Sequence, residues 1–341
     1  MSRTMKAAVF EGNGVFGVKE VPVPAPAAKE VLVKIEAGSI CGSDLHVLSV
    51  PPGQYAKPGT VLGHEFLGRI EELGSEVSTV KKGDRVIIEP IVPCGMCDAC
   101  RRNLTNLCEN PSILGQTVDG GFAEYCVAPE EYLHPVAEEI PAKIAALAEP
   151  IACVMHGMME LNPQPYERVV LYGAGAIGLI FYNMLKSYGV RHLAVCETMD
   201  SRIEDAKRCG VDFIINPMQE DVGAVLKERW GGGPDVGIDA VGAGAVFEQL
   251  VGLMNKGGRI LIFGQNNTQT STVYPSQINT KQLKIFGTMA VYHSIPAAIE
   301  MMNGLEDQLA KIVTHELPLD QFEEGIRLLR EKKALKVVIY P

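Results

Sequence analysis

The chain has 341 residues, of which 47% are hydrophobic and 21% charged, and a net charge of -10. That length exceeds what one core comfortably fills and points to two domains. The acidic balance, without any Lys/Arg block, argues against a nucleic-acid partner.

Residues 1 to about 150 are rich in short β-like runs. Lys6–Phe10, Val31–Ile35, Gly68–Leu73 and Arg85–Glu89 cluster or alternate apolar residues, separated by turns such as Val21–Pro26 and Pro51–Gly53. This is the pattern of a compact, irregular β domain. From about Arg168 strand-like runs alternate with helical periods. Val169–Tyr172 precedes a glycine-rich turn and a helix ending near Gly189, and Leu193–Cys196 precedes a helix around Arg202–Arg208 that stops at Gly210. Further strands fit Phe213–Ile215, Val236–Asp239, Ile260–Phe263 and Leu283–Phe286. Such alternation implies an α/β domain with a parallel sheet covered by helices on both faces. From about Ile295 the chain returns to helix, helix and a final strand, Lys336–Tyr340. The most apolar stretch, Val169 to Leu185, is broken by Gly173, Gly175 and Gly178 and carries Asn183, so it reads as buried strand and helix, not a membrane span. The opening MSRTMKAAVF holds no apolar signal core, and a cytoplasmic location is expected.

Four cysteines, Cys94, Cys97, Cys100 and Cys108, stand in a C-x2-C-x2-C-x7-C run whose connecting residues are small or turn-prone. Four thiolates that close together need a counter-charge, and one tetrahedral Zn2+ supplies it without redox chemistry. An iron–sulfur cluster is the competing reading, but in ferredoxin-type runs the fourth cysteine follows more closely and precedes proline. Here Cys108 precedes Glu109. A disulfide pair is the bland reading, disfavoured in a reducing compartment. A four-thiolate site has no spare position, so it is structural. Cys126, Cys153, Cys196 and Cys209 read as packing thiols.

Gly173-Ala174-Gly175-Ala176-Ile177-Gly178 follows a strand and opens a helix. The first glycine allows the tight turn, the second lets the backbone approach a pyrophosphate, and the third permits close packing. Glu197, at the end of the next strand, stands where a ribose 2'-hydroxyl needs an acceptor and repels a 2'-phosphate, which favours NAD over NADP. Arg202, five residues on, is positioned to pack against the adenine or its ribose, and would weaken that discrimination. Asp239 to Gly242 and Gly264 end two strands of this domain and are expected to line the cofactor site.

A second constellation is dispersed along the chain: Cys41 in Ile40-Cys41-Gly42-Ser43-Asp44-Leu45-His46, the segment Gly63-His64-Glu65, and Ala148-Glu149-Pro150. Turn residues around Cys41 and His64, and the proline after Glu149, suggest strand or loop ends. A thiolate, an imidazole and a carboxylate make a mixed zinc site able to keep an open position. Asp44 reads as a brace for the loop around Cys41, Asp84 as a turn residue, and His156 as a packed core histidine.

These motifs, together with Gly83-Asp84-Arg85-Val86 and in this order, resemble the zinc-dependent medium-chain dehydrogenases and reductases over essentially the whole chain. Ile88-Glu89-Pro90 and Glu149-Pro150-Ile151 are most similar to the sorbitol- and butanediol-like branch, with threonine dehydrogenase a nearby relative. The resemblance implies a GroES-like catalytic domain of residues 1–152 and 291–341, a Rossmann domain of residues 153–290, and two zinc ions per chain. The implied ligands of the catalytic zinc are Cys41, His64 and Glu65, with Glu149 binding directly or holding the fourth, water ligand. Zinc would act as a Lewis acid on a secondary alcohol or polyol, with hydride passing to NAD. Ser43 and His46 match the proton-relay positions of zinc alcohol dehydrogenases, and a homotetramer, or secondarily a dimer, is implied. Val47 stands where sorbitol dehydrogenase-like chains usually place tyrosine, and Gly287–Val291 lacks their arginine. A less polar pocket near Val47, Met289 and Ala290 is therefore expected, with Tyr292 and His293 supplying hydrogen bonds or covering a subunit contact. Alternatives are threonine 3-dehydrogenase-like activity, a non-catalytic NAD(H) sensor of the same fold, and a zinc-free reductase; that last branch lacks the four-cysteine lobe.

Overall fold

The computed structural model describes residues 3–266 and 268–341. The chain divides into two compact units, one of Met1–Ala152 with Val291–Pro341 and the other of Cys153–Ala290. Among the described residues no helix is long and apolar enough to cross a membrane.

The first unit is built on a seven-stranded sheet. Its path runs Val313–Pro318, Lys336–Tyr340, Glu30–Ser39, Phe66–Leu73, Arg85–Ile88 and Leu133–Pro135, with Tyr125–Pro129 also paired to Glu30–Ser39. The central strand, EVLVKIEAGS, is buried at most positions and leaves Lys34 exposed. Thr4–Gly12 forms a hairpin with Val15–Pro22. The second of these strands begins before, and takes in the start of, the segment expected to be a turn at Val21–Pro26; it is half-exposed and has no clean alternation. The tail also holds more than two helices and a strand. Val313–Pro318 pairs in parallel with Lys336–Tyr340, and the helix Phe322–Arg330 lies between them in sequence.

The second unit is a six-stranded sheet in the order Ile214–Ile215, His192–Cys196, Arg168–Tyr172, Val236–Asp239, Arg259–Ile262, Lys284–Gly287, parallel throughout. In chain order this is 3-2-1-4-5-6, the doubly wound arrangement whose order reverses at the first strand. Val170, Tyr172, Ala194, Ile215, Leu250 and Ile260 pack into one of its cores. The helix Ala176–Ser187 starts directly after the glycine turn and ends before Gly189, which adopts φ 84°.

Candidate metal centre and nucleotide loop

Sheet register assembles the mixed site. Gly38 pairs with Phe66 and Val338 pairs with Ser39, both antiparallel. The chain leaving one strand at Cys41, the chain entering the next at His64-Glu65, and the start of the last strand at Lys336 therefore meet at one end of the sheet. Gly63 makes the entry possible: its φ is 98°, and a Cβ there would lie 2.7 Å from the Phe122 nitrogen. Cys41 precedes the short helix Gly42–Val47, and its N–H donates to Asp44 Oδ2 at 2.9 Å, the brace expected of that residue.

One ligand atom each from Cys41, His64 and Glu65 lies within 4.8 Å of the others. Asp44 Oδ1 faces His64 Nδ1 at 3.6 Å, and that buried nitrogen makes no hydrogen bond among the described residues. Ser43 Oγ lies 3.2 Å from Nε2 on the opposite side of the ring. Burial works against a charge on His64, but Asp44, Cys41 and Glu149 outweigh it and hold the ring well above the usual histidine range. Burial likewise raises the Asp44 carboxyl, with His64 opposing. The pocket thus favours a cation, and its sulfur, nitrogen and oxygen donors fit zinc with a position to spare.

Glu149 stands in the first turn of the helix Ala148–Leu161, not at a loop end as Pro150 had suggested. Proline is tolerated in a first helical turn, where its missing N–H is no loss. Glu149 is buried, and its charge acts on His64 and Lys336, but it falls outside the close three-residue group. His46 is exposed in the last turn of its short helix. Val47 does not line a pocket: it is 1% exposed and packs with Phe10, Ile40 and Leu48 in the core. Met289 is exposed, and Tyr292 donates to the Asn103 carbonyl at 3.0 Å in the cysteine lobe.

Two residues that sequence reasoning missed complete the site. Lys336 Nζ lies 2.8 Å from Glu65 Oε1 and 2.5 Å from Oε2, and Ser39 Oγ donates to Oε2. Burial works against the Lys336 charge, yet Glu65 and Cys41 raise its pKa. Lys336 is the one charge in Ala334–Tyr340, a weak signal, because the first residue of a strand is commonly exposed.

The second group is Cys94, Cys97, Cys100 and Cys108. Cys94 N–H donates to Cys108 Sγ at 3.2 Å and Cys100 N–H to Cys97 Sγ at 3.5 Å. Backbone N–H groups of Glu109 and Cys100 pull the Cys97 thiol down to about 6, while burial pushes Cys100 up to about 12. Amide donors aimed at sulfur fit thiolates gathered around one ion. His156 is buried, with Nδ1 3.0 Å from the Ala290 carbonyl oxygen. Cys126, Cys196 and Cys209 are buried, and Cys153 is partly so.

In the glycine turn Gly173 has φ 100°, and a Cβ on Gly178 would fall 1.9 Å from the Gly173 carbonyl oxygen. Among the described residues nothing lies within 4 Å of a Cβ on Gly175, which leaves its backbone open to a ligand. Ala176 and Ile177 start the helix, with its N–H groups at the anion-binding end. Glu197 Oε2 accepts from Ala174 N–H at 2.9 Å, and Oε1 accepts from Thr198 and Met199 N–H. Arg202 Nη1 lies 3.6 Å from Asp205 on its own helix. Gly264 and Gly242 approach closely: a Cβ on Gly264 would lie 2.3 Å from the Gly242 nitrogen. Asp239 Oδ1 ties its own turn by accepting from Val241 and Gly242 N–H at 2.8 Å.

A β-rich unit with two metal-type clusters and a doubly wound unit with a glycine fingerprint define the class of zinc-binding alcohol dehydrogenases. Residues 27–138 match the alcohol dehydrogenase GroES-like domain and residues 176–304 the zinc-binding dehydrogenase domain. The chain belongs to the zinc-binding medium-chain dehydrogenase/reductase family, and is an oxidoreductase of that kind. It is 35% identical to an L-threonine 3-dehydrogenase of Stenotrophomonas maltophilia, over 98% of this chain and 99% of that one. It is 34% identical to a D-altritol 5-dehydrogenase of Agrobacterium fabrum, over 93% and 94%. Among solved structures, an alcohol dehydrogenase (rspB) of Escherichia coli CFT073 complexed with NADH superposes with a TM-score of 0.92, at 30% identity and full coverage of both chains.

Proposed function

We propose that the chain catalyses zinc-dependent, NAD-linked, reversible oxidation of a secondary alcohol or polyol to the ketone. The observation that carries this reading is the group Cys41, His64 and Glu65, with donor atoms within 4.8 Å of one another, alongside a separate all-sulfur group. Four sulfurs close a tetrahedron, whereas three mixed donors leave one position for a substrate. Zinc bound there supplies Lewis acidity that lowers the pKa of the alcohol hydroxyl. Asp44, facing His64 Nδ1 at 3.6 Å, and Glu149, from its helix start, add negative charge beside the ring. Ser43 presents a hydroxyl able to take the alcohol proton, and the exposed His46 is suited to hand it to solvent. Gly173, Gly175 and Gly178 accommodate the pyrophosphate, and Glu197 takes the adenosine ribose and disfavours a 2'-phosphate.

The two curated relatives support the substrate class, since position 3 of threonine and position 5 of altritol both carry secondary hydroxyls. The edge strand Lys284–Gly287, with Ile285 exposed, supports a homo-oligomer, a tetramer before a dimer. The test is zinc content per chain together with NADH formation from a panel of alcohols and polyols that includes L-threonine, for the native protein and Cys41→Ser. Two zincs falling to one, with turnover lost and the fold kept, are expected. One zinc in both proteins, or NADH binding without turnover of any alcohol, would overturn the reading.

A further inference from the structure

Beside the cysteine lobe the first unit holds a cleft of about 440 Å3, within the size range of small-molecule sites. Three pieces of chain build it. Glu89 follows one sheet strand and His134 lies on the next, and the Glu89 N–H donates to the Tyr132 carbonyl at 2.9 Å. Asn106 comes from the short helical turn of the lobe. His293 comes from the segment that Tyr292 pins to the lobe through its hydrogen bond to the Asn103 carbonyl. Ile91, Val291 and Pro296 supply apolar wall between these polar groups.

The charge of the lining is one-sided. Glu89 and Glu131 are carboxylates, and among the described residues no lysine or arginine lines the cleft. Glu89 Oε2 lies 3.0 Å from His134 Nε2, whereas Glu131 is exposed and makes no ion pair among the described residues. The Tyr132 phenol stands in the same field: burial first, then Glu131 and Glu89, then Cys100 and Cys108 of the lobe raise its pKa. Its ring adds an aromatic wall, and cations are attracted to aromatic faces. The compact groups of metal-ligating atoms among the described residues lie elsewhere, so the cleft does not gather its donors around one ion. Acceptors spread through a space of this size, between apolar walls, suit an ammonium head on a methylene body.

We propose that this cleft binds a small organic cation, an aliphatic amine or diamine, whose ammonium is taken by Glu131 and Glu89 and whose methylene chain lies along Ile91, Val291 and Pro296. The cleft shares no residue with the group Cys41, His64 and Glu65, and the proposal does not depend on the zinc reading.

The test is calorimetric titration of the full chain, holding its metals and without NAD, with 1,4-diaminobutane at constant ionic strength. The uncharged counterpart is 1,4-butanediol. The diamine should bind and the diol should not. Glu131→Gln should weaken binding about tenfold or more, the worth of one hydrogen bond to a charged group, and Glu131→Gln/Glu89→Gln should abolish it. Glu323→Gln removes the same charge from an exposed position on the helix Phe322–Arg330 and should change nothing. Cys41→Ser should bind the diamine as the native chain does. Once binding is shown, turnover names the source of the amine: a raised KM for the alcohol makes the cleft a place for the substrate's own ammonium, and an unchanged KM makes the amine a separate ligand. No heat from the diamine, equal affinity for the diol, or equal binding by the native and Glu131→Gln chains would overturn the proposal and leave the zinc reading untouched. Loss of binding in Cys41→Ser would overturn it too, by placing the amine on the metal at the mixed site.

Discussion

Ser43 Oγ lies 3.2 Å from Nε2 of His64, on the side of the ring opposite Asp44. The hydroxyl is thus held beside a candidate metal ligand, and it belongs to the helix that carries His46. General acid–base groups contribute roughly 100- to 10,000-fold, so Ser43→Ala should lower kcat by at least about 100-fold with zinc content and NADH affinity unchanged. Ser43→Thr, which keeps the hydroxyl, should retain most turnover. Full activity in the alanine variant would make Ser43 a turn hydroxyl only.

Gly175 and Gly178 should respond differently to the same substitution. A methyl group at Gly178 collides with the Gly173 carbonyl oxygen, whereas a methyl at Gly175 meets nothing within 4 Å among the described residues. Overpacking costs about 1–3 kcal/mol, so Gly178→Ala should lower both thermal stability and NADH affinity. Gly175→Ala should leave the melting temperature in place and weaken NADH binding alone, because its methyl group occupies space meant for the cofactor. Thermal denaturation and a fluorescence titration with NADH separate the two outcomes.

Glu197 has a double duty. Its carboxylate accepts N–H groups from Ala174, Thr198 and Met199, tying the glycine turn to the end of the next strand. Replacing it with serine removes the negative charge, so the preference for NAD over NADP should fall by roughly tenfold, equivalent to about 1.4 kcal/mol. The ratio of kcat/KM for the two cofactors measures this. An unchanged ratio would locate the discrimination elsewhere, with Arg202 the next residue to test.

The legible parts of this chain are those whose causes are local. Val236–Asp239 and Lys336–Tyr340 appear as strands with the bounds their apolar runs suggest, and the glycine turn carries its reasons within six residues. The illegible parts depend on distant partners. Lys336 meets Glu65 across 271 positions, through a terminal strand that inserts beside Glu30–Ser39. Val47 reads as a pocket residue by analogy, but the turn of its helix aims it into the core. Val313–Pro318, in the sequence VTHELP, has too little apolar alternation to announce a strand and is ordered by its neighbour.

Glu130 gives the first unit an acid-sensitive contact. Its Oε2 accepts from the N–H groups of Ser78 and Thr79 and from Thr79 Oγ1, and these bonds hold the carboxyl below the usual glutamate range. A depressed folded-state pKa contributes stability that is fully present above the unfolded value, about 4.3, and is lost as the pH falls through the folded value. Glu130→Gln should therefore melt lower than the native chain at neutral pH, and the difference should shrink as the solution is acidified. A difference independent of pH would mean that the amide simply fits the Ser78–Thr79 turn less well.

The cysteine lobe should couple zinc to protons in a way that its four thiols define. Cys97 is drawn down to about 6 by the N–H groups of Glu109 and Cys100, so near neutrality it is already largely a thiolate. Cys94 is also lowered, chiefly by the Met96 and Cys97 N–H groups, whereas burial pushes Cys100 up to about 12. A metal ion must displace the protons that remain, and it meets no competition where a thiolate stands ready. Zinc uptake by the stripped lobe near neutrality should therefore release fewer than four protons per ion, with Cys100 giving up a full one. Calorimetry in buffers of different ionisation enthalpy counts them. Retention should fall as the pH is lowered, because protons compete with the ion for each of the four sulfurs. Cys100→Ser should reduce proton release by close to one per ion as well as weakening binding. Release of all four protons at neutral pH would mean that the amide donors around Cys97 do not hold it as a thiolate before the ion arrives.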